Sequence, residues 1–364
     1  MAGVRRVERA AAGWAGAGRA AAARAGAGWA DRETRTVTIW LWVAFLAVVL
    51  VMLSLDLGVF HRAGHAVSIT DAVVWTTVWI VLALAFNVAV YALYEHRVLG
   101  LGTTIGYELT GRQAALQFFT GYVIEKSLSL DNIFVIALIF GYFAVPAEHQ
   151  HRVLFWGIIG ALLMRGVMIA AGTALIHRFA WITYVFGGLL ILSAIKMLVV
   201  PHDRLQPDHN PLVRAARRLF RVSTDFEGHR FFTRVNGRRA VTPLFLVLLV
   251  VESTDVLFAV DSIPAILAIT RDPFIVFTSN VFAILGLRSL YFVLAGAIGR
   301  FRYLKLSLVI LLIYVGIKLL LAHHYPISTL VSLGIIAGIL ATGVVASILA
   351  GRPGRAATPS PSGR

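Results

Sequence analysis

Five acidic residues lie in two strongly apolar stretches of the chain, where carboxylates are unusual. They are Glu125 and Asp131 in residues 115–143, and Glu252, Asp255 and Asp261 in residues 243–269. An ionised carboxylate near the centre of a lipid bilayer costs several kcal/mol, so such groups pair with cations, coordinate metals or carry protons. The two segments therefore indicate an ion-binding or proton-transfer site inside a membrane.

The other polar groups in these two segments are also oxygen donors. Asn132 supplies an amide oxygen, hydroxyl side chains lie nearby, and neither segment's acidic motif contains Cys, His or Met. Hard oxygen ligands favour Mn²⁺, Mg²⁺ or Ca²⁺ over Cu(I) or Zn²⁺. We therefore predict a divalent-cation site in which the ion is a transported substrate and no fixed cofactor is bound. Its candidate ligands are Glu125, Asp131, Asn132, Glu252, Asp255 and Asp261.

Structural ion pairing is an alternative explanation for the same carboxylates. Five basic residues within or beside the apolar stretches could neutralise them one for one: Lys126, Arg165, Lys196, Arg288 and Lys318. In a transporter, Arg165, Lys196, Arg288 and Lys318 would hold the acidic groups while the site is empty. Both interpretations remain open from the sequence.

Helical spacing separates the carboxylates on each segment. At about 100° per residue, Asp261 falls on the opposite side of a helix from Glu252, and Glu125 and Asp131 are about 120° apart. Regular helices would not bring all five together. Pro264 lacks an N–H and would leave the carbonyl of Val260 without its helical partner. The sequence therefore predicts a helix break beside Asp261.

The composition places these segments in a polytopic membrane protein. Of 364 residues, 59% are hydrophobic and 14% are charged, and the mean hydropathy is +0.81. A membrane-spanning helix needs about 20 mainly apolar residues. We predict an all-α fold with about nine spans, at residues 37–55, 73–93, 115–143, 153–174, 180–199, 243–269, 274–298, 303–322 and 326–350. An ordinary soluble enzyme is excluded, and the chain has no cysteine for disulfide or thiolate chemistry.

The polar segments predict the orientation. Residues 200–241 carry nine arginines and four acidic residues, so the positive-inside rule predicts that this loop is cytoplasmic. Counting spans puts the C-terminus on the same side and the N-terminus outside. The N-terminal tail carries seven arginines, so either this tail is translocated despite its charge or one of the nine predicted spans is wrong. The expected location is the inner membrane, with residues 1–36 and 351–364 as disordered tails. No aromatic interleaving accompanies the arginines, so we expect no nucleic-acid partner.

An internal repeat divides the membrane domain. The segment beginning Ser129-Leu-Asp131 matches the one beginning Ser253-Thr-Asp255, and Arg165 and Lys196 match Arg288 and Lys318 at nearly the same offset. Each copy, about 115–199 and 243–322, contains three predicted spans, so the copies have opposite topology. Inverted repeats place substrate sites near the bilayer midplane where the repeats meet. Duplication without functional symmetry is the alternative.

The two acidic motifs resemble the signatures of the TerC/Alx family of bacterial integral membrane proteins. The segments are Phe118–Val135 and Val251–Ile266, and residues 56–62 and 279–288 add to the likeness over roughly 37–350. The resemblance implies a nine-span inner-membrane protein from a family associated with tellurium resistance, whose better-supported activity is manganese export. By motif match, the five carboxylates would be the family's intramembrane acidic residues, and Asp56 would be the one in the first span. Asp56 and Asn280 are additional candidate ligands.

The function expected from the sequence is therefore transport and not enzymatic catalysis. The leading hypothesis is export of a divalent cation, Mn²⁺ first, by alternating access and in exchange for protons on the same carboxylates. A membrane scaffold or assembly factor is the alternative, and a tellurite-resistance factor is a third. The sequence does not determine the metal, the coupling ion or the oligomeric state.

Overall fold

The computed structural model describes residues 39–56, 68–102, 106–199, 211–223, 226, 228, 230–235, 237–295, 303–322 and 324–350. The tails predicted to be disordered, residues 1–36 and 351–364, lie outside these residues. Within them, the helices are α1 (Ile39–Asp56), α2 (Ile69–Glu95), α3 (Gly111–Tyr142), α4 (Ala147–Arg178), α5 (Ile182–Val199), α6 (Pro211–Leu219), α7 (Pro243–Leu267), α8 (Pro273–Ile284), α9 (Leu287–Ala295), α10 (Leu304–Leu321) and α11 (Thr329–Ala350). A short 3₁₀ turn, Val98–Gly100, follows α2.

Seven of the described helices are long and apolar enough to cross a membrane by length and composition: α1, α2, α4, α5, α7, α10 and α11. The pair α8 and α9, bent by 42°, is an eighth candidate. The 32 residues of α3 would also reach across a bilayer, but Glu125, Lys126 and Asp131 reduce its apolar character. The fold is an α-helical multi-pass membrane protein, while nine spans and the inverted repeats remain predictions.

Local signals explain where the main helices begin. Thr110 and Gln113 form a capping box at the start of α3, each side chain bonding the other residue's backbone N–H. Asp272 caps α8 by accepting bonds from two backbone N–H groups. Pro243 and Pro273 occupy the first turns of α7 and α8, where a missing N–H costs nothing.

The predicted basic loop between α5 and α7 is partly folded. After α6, it contains β1 (Arg221–Val222), β2 (Phe232–Val235) and β3 (Arg238–Val241). The sheet order is β1-β3-β2, with β1 parallel and β2 antiparallel to β3. Asn236 and Gly237 separate β2 from β3, and an Asn-Gly pair is a strong hairpin signal. This insert was not predicted, because its strands are too short to give a clear alternating pattern.

The core places α3 and α7 among the other long helices. α3 packs against α2, α7 and α8, while α4 packs against α7 and α5 packs against α10. Aromatic rings fill the space between α2, α3 and α8, where Phe86 and Phe282 stack at 4.5 Å between ring centroids. The acidic helices α3 and α7 are thus adjacent and covered on several sides by apolar side chains.

The α5–α10 contact depends on two glycines. A Cβ added at Gly187 would lie 3.0 Å from the Gly316 carbonyl oxygen and 2.8 Å from Leu320 Cγ. A Cβ added at Gly316 would lie 3.0 Å from the Gly187 carbonyl oxygen. Small residues at such crossings let the helix backbones approach closely.

We expect Gly187→Ala to destabilise the protein by about 1–3 kcal/mol, because the added methyl group overpacks this crossing. Gly188→Ala is the matched control, since Gly188 has no neighbour within 4 Å of an added Cβ. Thermal unfolding of the two purified variants in the same detergent measures the difference. Equal unfolding temperatures would contradict the close crossing.

Candidate membrane-embedded ion site

Arg165 on α4 is the centre of a buried group of charged side chains. Its guanidinium pairs with Glu125 on α3 and with Asp255 on α7, where Arg165 Nη2 lies 3.1 Å from Asp255 Oδ1. Nη1 also donates to Ser262 Oγ at 3.3 Å. One cation therefore joins three helices.

Burial makes this group sensitive to the loss of either sign of charge. The Arg165 and Glu125 side chains are 1% and 0% exposed, and Asp255 is 16% exposed. Removing one partner from a buried ion pair leaves an uncompensated charge and typically costs several kcal/mol. The buried charge of Glu125 is therefore compensated by Arg165, whereas the Asp255 carboxylate is partly exposed.

A second group of polar side chains surrounds Asp261. Ser193 on α5 donates from Oγ to Asp261 Oδ1 at 2.5 Å. Lys196, also on α5, and Asp131 on α3 interact electrostatically with Asp261. The Asp131 and Asp261 side chains are half-buried. α3, α5 and α7 thus contribute opposite charges to one neighbourhood, with two carboxylates and one ammonium.

Glu252 lies one turn before Asp255 on α7, and the two acidic groups repel each other electrostatically. A Cβ at Gly160 on α4 would collide with the Glu252 carboxylate. The glycine therefore leaves the space that this carboxylate occupies between α4 and α7.

The six predicted ligands do not meet at one point. Glu125 and Asp255 share Arg165, while Asp131 and Asp261 lie in the group with Lys196. Among the residues that the structure describes, no group of three or more His, Cys, Asp or Glu side chains is arranged to hold a metal ion. The helical spacing of the carboxylates explains this division.

The predicted helix break beside Asp261 is wrong. α7 continues from Pro243 to Leu267 with Pro264 inside it. A proline removes one helical hydrogen bond, and here it does so in the last turn, where little helix remains to be redirected. Close packing against α3 and α4 holds the rest of the helix.

The described break lies instead between α8 and α9, at Leu285 and Gly286. Gly286 has a φ of 80°, and an added Cβ there would lie 2.7 Å from the Trp79 indole. Lys126 Nζ donates to the carbonyls of Ala283 at 3.2 Å and Leu285 at 3.5 Å. Lys126 therefore binds the negative end of the α8 dipole, and not the carboxylate partner predicted for it, because the break frees these carbonyls.

A cavity of about 40 Å³ lies beside this break. Most of its wall is apolar, but Asn132, Thr254, Asp255 and Arg288 contribute polar groups. One water needs roughly 10–15 Å³ of such volume. The cavity is therefore large enough for a water or a small ion next to Asp255.

Arg288 holds the end of α1 to this region. Its Nε lies 3.4 Å from Asp56 Oδ2, and its Nη2 donates to the Asp56 carbonyl at 2.5 Å. Arg288 therefore contacts the carboxylate of Asp56 on α1, which is outside the five carboxylates predicted as its partners.

Two further predicted residues lie apart from the acidic groups. Lys318 on α10 is buried and makes no ion pair with a carboxylate in the described part of the chain. Asn280 on α8 is buried, and its Nδ2 has no hydrogen-bond partner among the described groups. The prediction that basic residues neutralise the five carboxylates one for one is thus not what the structure shows.

Sequence reasoning missed Ser193 and the buried Asp272. Asp272 caps α8 and also accepts a bond from Tyr107 N at 3.0 Å, which ties the α2–α3 connection to the α7–α8 turn. Burial raises the pKa of Asp272, and the hydrogen bonds that it accepts oppose this rise. Gly106 leaves room for its carboxylate. The Asp272-Pro273 pair was the available signal, since it is typical of a helix start.

Comparison with known families identifies the architecture that carries these groups. A family model described as "Integral membrane protein TerC family" matches residues 110–354, which include α3, α7 and every charged group above except Asp56. The chain belongs to the TerC family. The resemblance of its acidic motifs is thereby confirmed.

Curated relatives agree with this assignment. The chain is 48% identical over 301 residues to "Uncharacterized membrane protein STKORF319" of Myxococcus xanthus, covering 83% of this chain and 89% of the relative. It is 47% identical over 290 residues to "Putative membrane-bound redox modulator Alx" of Escherichia coli K12, covering 79% and 88%. No solved structure matches the chain significantly.

We expect Arg165→Met to destabilise this TerC-family protein by about 3–5 kcal/mol, because it leaves Glu125 charged and buried without its partner. Adding Glu125→Gln should restore part of the loss. Arg178→Met is the matched control, since Arg178 lies exposed on the same helix. Thermal unfolding of the purified proteins measures the effect, and equal stability of the Arg165 and Arg178 variants would contradict the central role of the Arg165 ion pairs.

Proposed function

We propose that this TerC-family protein exports a divalent cation, with Mn²⁺ as the first candidate, through the region between α3 and α7. Protons on the same carboxylates would serve as the counter-ion. In this proposal the protein moves an ion and catalyses no chemical reaction.

The excess of carboxylates on α3 and α7 carries the proposal. These helices hold five acidic and two basic side chains. Arg165 on α4 pairs with Glu125 and Asp255, and Lys196 on α5 interacts with Asp261. Lys126 also binds two backbone carbonyls. α3 and α7 together therefore carry more negative than positive charge. A divalent cation would complement it, whereas an oxyanion such as tellurite would be repelled.

The chemistry of the oxygen groups supports a hard cation. Asn132, Thr254 and Asp255 border the small cavity beside the α8–α9 break, and none of the described residues that line it supplies a sulfur or imidazole ligand. Such donors suit Mn²⁺, Mg²⁺ and Ca²⁺, and the family resemblance favours Mn²⁺ among the three.

The helix packing supports alternating access between two repeats. α3 packs on α8 and α7 packs on α4, while α3 packs on α7 and α5 on α10. If α3–α5 correspond to α7–α10, α3 matches α7, α4 matches the bent pair α8–α9, and α5 matches α10. A two-fold axis would then exchange the α3–α8 contact with the α7–α4 contact, and it would map the α3–α7 and α5–α10 contacts onto themselves. We propose inverted repeats that rock about the α3–α7 contact. This motion would expose first the carboxylates around Arg165 and then those of Asp131 and Asp261 to the ion.

The proposed orientation in the inner membrane follows from the arginines. Residues 200–241, with nine arginines and four acidic residues, would be cytoplasmic, as would the C-terminus. The N-terminus would then lie outside, and cation movement from the side of the insert to the opposite side would be export.

The name of the Escherichia coli relative refers to redox modulation. This chain contains no cysteine, so its own side chains offer no thiol–disulfide exchange. Under this proposal, a redox effect would follow from the ion that is transported. A scaffold function is the second candidate, since buried ion pairs such as Arg165–Glu125 also fix helix positions.

We expect Asp131→Asn and Asp261→Asn each to abolish export, because each removes a negative charge from the polar group around Asp261 while keeping the side-chain shape. Total cellular manganese, measured by elemental mass spectrometry in an exporter-deficient bacterium after a manganese load, should fall with the intact protein and stay high with either variant. Asp71→Asn is the matched control, because Asp71 is exposed in the first turn of α2 and should leave export intact.

As a control for expression and insertion, immunoblots of the membrane fraction must show equal amounts of the intact protein and of every variant. Retained export in both Asn variants would contradict the proposed ion path. Unchanged metal levels with the intact protein, combined with reduced stability of the variants, would favour the scaffold function.

A further inference from the structure

The described part of the insert between α5 and α7 carries charge of one sign. Residues 211–223 and 230–241 contain eight arginines and no acidic residue. The positive-inside rule accounts for basic residues near a membrane, but it does not require a folded surface. Here seven of the arginines are placed on α6 and a three-stranded sheet.

The sheet is positioned next to the start of a candidate membrane span. The Phe232 ring of β2 lies 5.0 Å from the Phe245 ring, measured between centroids, and Phe245 is in the first turn of α7. Thr242 Oγ1, just before α7, donates to the Arg230 carbonyl at 2.7 Å. α6 buries Val213 and packs against α7. These contacts place the insert at the membrane boundary.

Large apolar side chains on this surface remain uncovered. Leu219 is 76% exposed, Phe232 is 62% exposed and Phe220 is 45% exposed. Phe220 and Phe232 line an open hollow of about 770 Å³ together with Arg230, Arg234 and Arg239. None of the described residues that line it is a carboxylate. It thus combines guanidinium groups with apolar rings.

We propose that this hollow, called here the Arg230–Arg239 surface, binds the headgroup of an anionic phospholipid in the bilayer around the protein. Arginine binds phosphate oxygens in a bidentate geometry. Basic groups close to a membrane are attracted to anionic lipids, and adjacent apolar side chains enter the interface. Leu219, Phe220 and Phe232 favour a lipid over a soluble anion, which would leave them exposed to water.

The cysteine-free chain allows a clean test on the full-length protein. A spin label at Leu219→Cys reports whether this surface enters the bilayer, through its accessibility to membrane-dissolved oxygen or to an aqueous nickel chelate. In vesicles containing phosphatidylglycerol and phosphatidylcholine, we expect the label to be accessible to oxygen. In phosphatidylcholine alone, we expect it to be accessible to nickel.

Substitution of the three arginines tests the headgroup contact. Each basic residue near an anionic surface contributes about fivefold to binding, so Arg230→Gln, Arg234→Gln and Arg239→Gln together should weaken phosphatidylglycerol binding about 100-fold. Titration of phosphatidylglycerol into purified protein, followed by native mass spectrometry, measures this change. The matched control removes the same charge at the exposed Arg112, Arg178 and Arg271, and should bind as the intact protein does.

Three results would overturn the proposal. If the label at position 219 enters the bilayer equally with and without phosphatidylglycerol, the apolar side chains insert without recognition of the headgroup. Equal lipid affinity of the two triple variants would show a general effect of net charge. A label response to inorganic phosphate in phosphatidylcholine vesicles would show a soluble-anion site. None of these readouts depends on metal transport.

Discussion

The guanidinium of Arg165 is the charge on which the arrangement of the membrane domain depends. It is almost completely buried and joins Glu125 on α3 to Asp255 on α7. A charge in this environment is tolerated only when opposite charges and hydrogen bonds compensate it. The three helices therefore have to stay close together, and their relative positions decide where the other carboxylates lie. Any model of ion movement through α3 and α7 must include a way to keep Arg165 paired.

The other buried charged side chains stabilise helix ends and loops, and helix packing decides which end or loop each one contacts. Lys126 stabilises the carbonyls at the α8–α9 break, and Arg288 fixes the end of α1 through Asp56. Asp272 ties two loops together at the start of α8. These contacts stabilise helix ends and the connections between helices.

Several features could be predicted from the sequence because they depend on local composition. Apolar runs located the long helices, and the acidic motifs indicated family membership, which the match over residues 110–354 confirms. The break predicted from Pro264 is absent, because one missing hydrogen bond in the last turn of a well-packed helix does not break it. The described break is at Gly286, where a φ of 80° and the nearby Trp79 from another helix leave room only for glycine. The strands of the basic insert are too short to predict from periodicity.

The sequence by itself determined that this protein is a helical membrane protein of the TerC family with carboxylates in apolar segments, because residue type and spacing are read directly from the chain. Only the tertiary structure decided which charges are partners. Arg165 reaches Glu125 and Asp255 across 40 and 90 positions of sequence, and Arg288 reaches Asp56 across 232. Such pairings depend on which helix faces meet, and this is decided by packing of all helices together. Local patterns carry no information about that choice.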